Sequence, residues 1–206
     1  MNNKSALGIL FRIPEYGKVK KRLAAQIGTE DALSVYAAML YETIESVSKL
    51  TDIDIYGFYQ GLASTQHSLL KKFQSMPQKG KDLGERMLNA VQWLFEKGYN
   101  KVVLIGADSP DLPARYIEDA FLKLNYYELV IGPAVDGGYY LIGMNMPLGI
   151  IFKGIKWGSN SVLKDTISIA NNEGIRYFLL PQWYDIDDIE SLRQWKNQQF
   201  SNSFLP

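Results

Sequence analysis

A mostly parallel β-sheet with helices on both faces is the architecture this sequence predicts, from three observations. Short apolar, β-branched segments alternate along the chain with segments of helical period. The segment Lys101 to Gly106 is apolar throughout rather than alternating, as a strand buried on both faces must be. It ends in Gly106-Ala107-Asp108-Ser109-Pro110-Asp111, so two carboxylates follow directly on the end of a buried strand. In an open α/β sheet the carboxyl ends of the strands form the ligand crevice, which makes this the first place to look for function.

Each element has its own warrant. Ala6 to Phe11 reads as a first buried strand, followed by a helix over about 30–49 with Leu33, Ala37, Leu40, Ile44 and Val47 on one face. Ile53 to Tyr59 is rich in β-formers. Leu83 to Phe95 places Met87, Leu88, Val91, Leu94 and Phe95 at helical spacing. After the central strand, Pro113 to Leu124 is a helix with proline in its first turn, where a missing N–H is harmless. Glu128 to Gly132 and Tyr139 to Met144 are strands flanking a turn-forming run. Ser159 or Ser161 is placed to cap a helix through about Asn171, Arg176 to Leu180 is a late strand, and Ile189 to Gln198 a last amphipathic helix. The 206 residues are expected to form one domain, 1–206, with a frayed tail over 200–206.

Composition removes several function classes. With no cysteine, disulfides, thiolate metal sites and cysteine nucleophiles are excluded, and a reducing, cytoplasmic setting is expected. The start holds too short an apolar run for a signal peptide or a membrane span. Twenty-two basic residues against 22 acidic ones argue against a nucleic-acid-binding surface. The single histidine, His67, lies in a polar segment and reads as a solvated surface residue rather than a metal ligand.

Four segments can carry chemistry, and each also has a plain structural reading. Arg12, Lys18, Lys20, Lys21 and Arg22 cluster after the first strand, with Gly17 allowing close backbone approach: a phosphate-binding loop, or a solvated basic one. Neither a Walker loop nor a dinucleotide fingerprint is present. Asp108 is positioned to hold a divalent cation, which takes few protein carboxylates when phosphates supply the remaining oxygens, whereas Asp111 is equally suited to capping the next helix. Asp136-Gly137-Gly138 is either a hairpin turn or a place where substrate meets backbone, with Asp136 as general base. Tyr139 and Tyr140 point to opposite faces, so at most one lines a cleft there. In Asp185-Ile186-Asp187-Asp188, Asp185 and Asp187 share one side of an extended segment, while Asp188 or Glu190 suits a helix N-terminus. Trp93, Trp157, Trp183 and Trp195 read mainly as packing residues, and Trp157, in a loop entering a helix, is placed on the acceptor side.

Taken together and in this order, the segments resemble the GT-A (nucleotide-diphospho-sugar transferase) superfamily over about residues 5–195. Within it they resemble the small bacterial radical-SAM/selenodomain-associated transferases, a family of uncharacterised glycosyltransferases related to 2-phospholactate guanylyltransferase. Tyr16-Gly17-Lys18-Val19-Lys20-Lys21-Arg22-Leu23 is similar to P-G-[KR]-V-K-T-R-L, with Tyr16 for proline and Lys21 for threonine. Gly106 to Leu112 matches G-x-D-x-P-x-L, and Gly132 to Gly143 matches G-P-A-x-D-G-G-Y-Y-L-I-G. Asp185-Ile186-Asp187 resembles the start of D-x-D-T-P-E-D-L, departing from it at Asp188, Ile189 and Ser191.

The resemblance implies a mixed, mostly parallel GT-A sheet and a transferase using Mg2+ or Mn2+. It implies Asp108 and Asp187 as metal ligands and Gly17, Lys18, Lys20, Arg22, Gln78, Gly84 and Arg86 as nucleotide-binding residues. Lys20, Arg22 and Asp136 take catalytic roles, and Gly137, Gly138, Tyr139 and Trp157 the acceptor side. The expected substrates are a nucleotide or nucleotide-sugar donor and a small-molecule acceptor. Glycosyl transfer is the leading expectation, with nucleotidyl transfer from a nucleoside triphosphate, or a catalytically silent nucleotide-binding module, as alternatives.

Overall fold

The computed structural model describes residues 4–61 and 72–202. In chain order the elements are β1 (Ser5–Arg12), α1 (Lys21–Ile27), α2 (Thr29–Val47), β2 (Ile53–Gln60), β3 (Gln74–Pro77), α3 (Leu83–Glu96) and β4 (Lys101–Ile105). They continue with α4 (Ala114–Lys123), β5 (Leu129–Pro133), β6 (Tyr139–Met144), a 3-10 turn (Gly149–Phe152), α5 (Val162–Asn172), β7 (Tyr177–Leu179) and α6 (Ile189–Asn202). One seven-stranded sheet runs β3-β2-β1-β4-β6-β5-β7. All its pairings are parallel except those of β6, which runs antiparallel to both β4 and β5.

Both faces of the sheet are covered, and strand alternation decides which side chain goes where. From β1, Leu7, Ile9 and Phe11 join Val103 and Ile105 of β4 against Leu40 and Ile44 of α2 and Ile117 and Phe121 of α4. Ala6, Val102 and Leu104 face the other way, toward Met87, Val91 and Leu94 of α3 and Ala170 of α5. A third cluster joins Leu23 of α1, Met39 of α2, Ile186, and Leu192 and Trp195 of α6. This contact brings the first basic segment beside the last acidic one.

The chain turns outward from β1 in both directions: β2 and β3 lie on one side, β4 on the other. Between β1 and β4 the loops leaving their carboxyl ends diverge, and a crevice opens there. Those loops are 13–20 and 106–113.

Several expectations need correction. Residues 21–23, read as the end of the basic loop, instead begin the helix Lys21–Ile27, because Leu23 is buried in the third cluster. The edge strand β3 and the 3-10 turn were not expected, being too short to show a period. Pro113 occupies the cap position of α4 rather than its first turn. Ser161 stands at the N-cap of α5, but its hydroxyl donates to Asp165 at 2.7 Å instead of accepting from the helix, and Ser159 donates to the Lys156 carbonyl. The late strand is shorter, Tyr177–Leu179, and α6 continues to Asn202, into the expected tail. His67 and residues 203–206 lie outside the described residues. Among the described residues no helix is long and apolar enough to cross a membrane.

Candidate active site

The crevice is a cleft of about 720 Å3, bordered by residues from all four sequence segments. Lys20 stands at its centre. Its ammonium donates to Asp187 Oδ1 at 2.8 Å and lies 2.6 Å from Asp108 Oδ1. The Lys20 side chain is 4% exposed, whereas Asp108 and Asp187 are 51% and 43% exposed, so both acids open onto solvent while the lysine is enclosed. Burial works against the ammonium, but the two carboxylates outweigh it and hold the Lys20 pKa above its ordinary value. Arg22 lies 3.8 Å from the other oxygen of Asp187.

Long-range contacts set the two acids side by side. The Ile186 amide donates to the Asp108 carbonyl at 2.9 Å. Ser109 Oγ lies 3.0 Å from the Tyr184 carbonyl and 2.7 Å from Asp185 Oδ1, donating toward both. Asp111, expected as a helix cap, instead accepts from the Trp183 indole at 3.2 Å and from the Tyr184 hydroxyl. A helix cap was the wrong reading: Pro113 holds the cap position of α4, and the Asp111 carboxylate is taken by aromatic residues brought in from the far end of the chain. Asp188 does meet the helix-start expectation, its Oδ1 accepting from the Ser191 amide at 2.9 Å, and these bonds lower its pKa.

The remaining residues fall into two groups. Lys18, Arg22, Gln78, Arg86, Asp136, Gly138, Tyr139 and Trp157 border the cleft, while Gly17, Gly84 and Gly137 do not. Gln78 uses its amide nitrogen to bridge the carbonyls of Phe11 and Phe58, at 3.2 and 2.9 Å, pinning the ends of β1 and β2. Arg86 spends its guanidinium on Gln60 Oε1 and the carbonyls of Gly80 and Lys81, so it shapes the wall more than it supplies a free cation.

Gly84 lies beneath the Trp157 indole, where a Cβ would overlap the ring. Trp157 therefore shares a wall with a residue assigned to the nucleotide, and Tyr139 meets it edge to face at 6.4 Å. The rings of Tyr139 and Tyr140 do point to opposite faces, Tyr140 donating to the Pro181 carbonyl at 2.9 Å. Both residues nevertheless border the cleft, which corrects the expectation of at most one.

Asp136 meets the turn reading. Its Oδ1 accepts from the Gly138 amide at 2.8 Å, closing the β5–β6 turn, and the residue also borders the cleft. Gly137 is structural: its φ is 91°, and a Cβ would overlap the Asn160 carbonyl.

Tyr36 was assigned no role from the sequence, and Asp185 was read only as sharing a side with Asp187, one of the two being able to reach a metal across the cleft; both Tyr36 and Asp185 border the cleft. Tyr36 Oη accepts from the Arg12 amide at 2.9 Å, and burial, with the Asp108 charge, raises its pKa. The signals for Asp185 were its two-residue spacing from Asp187 and its place at the start of the D-x-D motif. Burial pushes the Asp185 carboxyl up to about 6, helped by Asp108 and Asp136 and opposed by Ser109 and Lys20. The folded chain thus retains a proton that the unfolded chain releases near pH 4. Between about pH 4 and 6 this group's contribution makes stability fall as pH rises. Asp185→Asn is expected to flatten that decline and to gain about 1–2 kcal/mol above pH 6. Urea midpoints measured across pH check this, and an unchanged slope refutes it.

A seven-stranded sheet with β6 reversed and acids at its central switch point defines the fold class of the nucleotide-diphospho-sugar transferases. Residues 43–159, more than half of the chain, match the family described as "Uncharacterized protein conserved in bacteria (DUF2064)". The chain belongs to that family.

Over 98% of this chain and 90% of the other, it is 33% identical to a protein of Desulfovibrio desulfuricans G20 provisionally named a nucleotide-diphospho-sugar transferase, whose crystal structure superposes with a TM-score of 0.90. It is 24% identical to 2-phospho-L-lactate guanylyltransferase of Methanocaldococcus jannaschii over 93% of this chain and 81% of that protein. The manganese complex of Rv0371c from Mycobacterium tuberculosis H37Rv shares the fold, with a TM-score of 0.57 and 13% identity over 92% of this chain and 97% of the other.

Proposed function

We propose that this protein is a nucleotidyltransferase acting as a single transferase domain. An acceptor oxygen attacks the α-phosphorus of a nucleoside triphosphate, the new O–P bond forms as the bond to the β-phosphate oxygen breaks, and pyrophosphate leaves. The observation that carries this reading is the meeting of Lys18, Lys20 and Arg22 with the Asp108–Asp187 pair at the mouth between β1 and β4. Three cations suit a triphosphate chain better than the diphosphate of a nucleotide sugar, because the leaving pyrophosphate accumulates more charge. The guanylyltransferase relative points the same way.

Asp108 and Asp187 fit a hard divalent cation. They are oxygen donors converging on one point that already holds a positive charge, and both open to the cleft, where phosphate oxygens and water can complete an octahedron. When bound there, Mg2+ or Mn2+ supplies charge neutralisation at the phosphates. Lys18 and Arg22 bind phosphate oxygens, and Asp136 orients the acceptor or takes its proton. The wall of Leu83, Met87, Tyr139 and Trp157 offers an apolar surface for a base.

Glycosyl transfer from a nucleotide sugar is the second reading, favoured by the name of the 33% identical relative. Product analysis separates the two. Incubation with nucleoside triphosphates or nucleotide sugars, Mn2+ and a panel of phosphorylated hydroxy acids is expected to release pyrophosphate. Release of nucleoside diphosphate from a nucleotide sugar transfers the assignment to glycosyl transfer, and binding with neither product leaves a silent nucleotide-binding module.

A further inference from the structure

Lys20 has a backbone no other cleft cation shares. Its φ of 42° and ψ of 51° put it in the left-handed region, where among the described residues only one other non-glycine, Asp52, has a positive φ. A side chain with a Cβ is disfavoured there, so something must hold it. Val19 and Leu23, both buried, anchor the chain on either side, and the Asp108 and Asp187 carboxylates take the ammonium. The ammonium therefore sits between the same two carboxylates that would hold a divalent cation.

We infer that Lys20 is an internal counter-ion that must be exchanged for the divalent cation when the site loads. The inference rests on the reading of Asp108 and Asp187 as the cation's ligands. An ammonium and a dipositive ion held by the same two carboxylates repel each other, and because the lysine is enclosed, water screens that repulsion incompletely. Until a ligand arrives, Lys20 keeps the two acids together and neutralised. A triphosphate offers the displaced ammonium new oxygens, so nucleotide and cation enter together and the cation alone binds weakly. Loading by this exchange makes Lys20 a specificity-determining residue: it discriminates against the free cation and in favour of the cation–nucleotide complex.

Mn2+ binding to the full-length, nucleotide-free protein tests this, with bound and free ion distinguished by electron paramagnetic resonance. Wild type is expected to bind weakly, and Lys20→Met and Lys20→Gln to bind about tenfold more tightly or better, since each removes the competing charge. Adding Asp108→Asn to Lys20→Met is expected to cancel the gain. Equal affinity in wild type and both lysine variants overturns the inference, as does a gain that survives Asp108→Asn. Should the variants not fold, wild type alone decides: a thermal midpoint raised by Mn2+ plus GTP but not by Mn2+ supports the exchange, and equal rises refute it. These readouts need no turnover, so they are distinct from the product assay on which the nucleotidyl-transfer reading depends.

Discussion

Asp108→Asn is expected to lower kcat/KM for pyrophosphate release by about 1,000-fold or more while leaving the protein folded. Both halves follow from the geometry. Asp108 is half-exposed, and Asn preserves its shape, so little packing is lost. The Lys20 ammonium keeps Asp187 at 2.8 Å and is not left buried without a partner. The backbone carbonyl of residue 108 still accepts from Ile186, so the loops remain joined. What disappears is one of the two negative charges paired with Lys20, and with it the attraction for a cation beside the phosphates. Thermal midpoints should stay within a few degrees of wild type, about 2–4 °C per kcal/mol for a chain of this size. Retention of more than a tenth of wild-type turnover refutes the assignment of Asp108.

The largest structural effect is expected at Gly137. Gly137→Ala should destabilise the protein by about 2–4 kcal/mol and open the wall of the cleft. The added methyl meets the Asn160 carbonyl, a backbone atom that cannot rotate away, at a φ of 91° that L-residues avoid. Relief requires the Asp136–Gly138 turn to separate from the start of α5, breaking the bond from the Leu163 amide to the Gly137 carbonyl at 2.9 Å. Asp136 and Asn160 both border the cleft, so turnover should fall together with stability. Gly174→Ala is the control: its φ is 67°, but a Cβ there meets nothing within 4 Å, so only backbone strain of about 1 kcal/mol is expected. Equal denaturation midpoints for the two variants would show that steric overlap at Asn160 is unimportant.

The sequence was most legible where one physical rule acted alone. The helices α2 and α3 lie within two residues of their expected ends, because each buries one stripe against the sheet and that stripe has a 3.6-residue period. Tyr139 to Met144 matches β6 at both ends, bounded by a glycine turn and by Asn145. Helix α1 escaped notice because its seven residues span barely two turns, with one fully committed apolar side chain, Leu23, that needs Ile186 and Trp195 to bury it. The four residues of β3 contain only Met76 as an apolar residue of ordinary strand type and pair with β2 at the sheet edge.

By itself the sequence determined the alternating layers, the acids after β4, the basic segment after β1 and the glycine turn before β6. Each is a local pattern, and local patterns are set by backbone period and turn chemistry. Tertiary structure alone decided the reversal of β6, the use of Asp111 to hold Trp183 and Tyr184, and the enclosure of Lys20 between two acids. Lys20 and Asp187 are separated by 167 positions and meet only because Leu23 and Ile186 are buried in one cluster. Charge pairing across such a distance leaves no period in the chain. It exists only after hydrophobic burial has brought the two segments together.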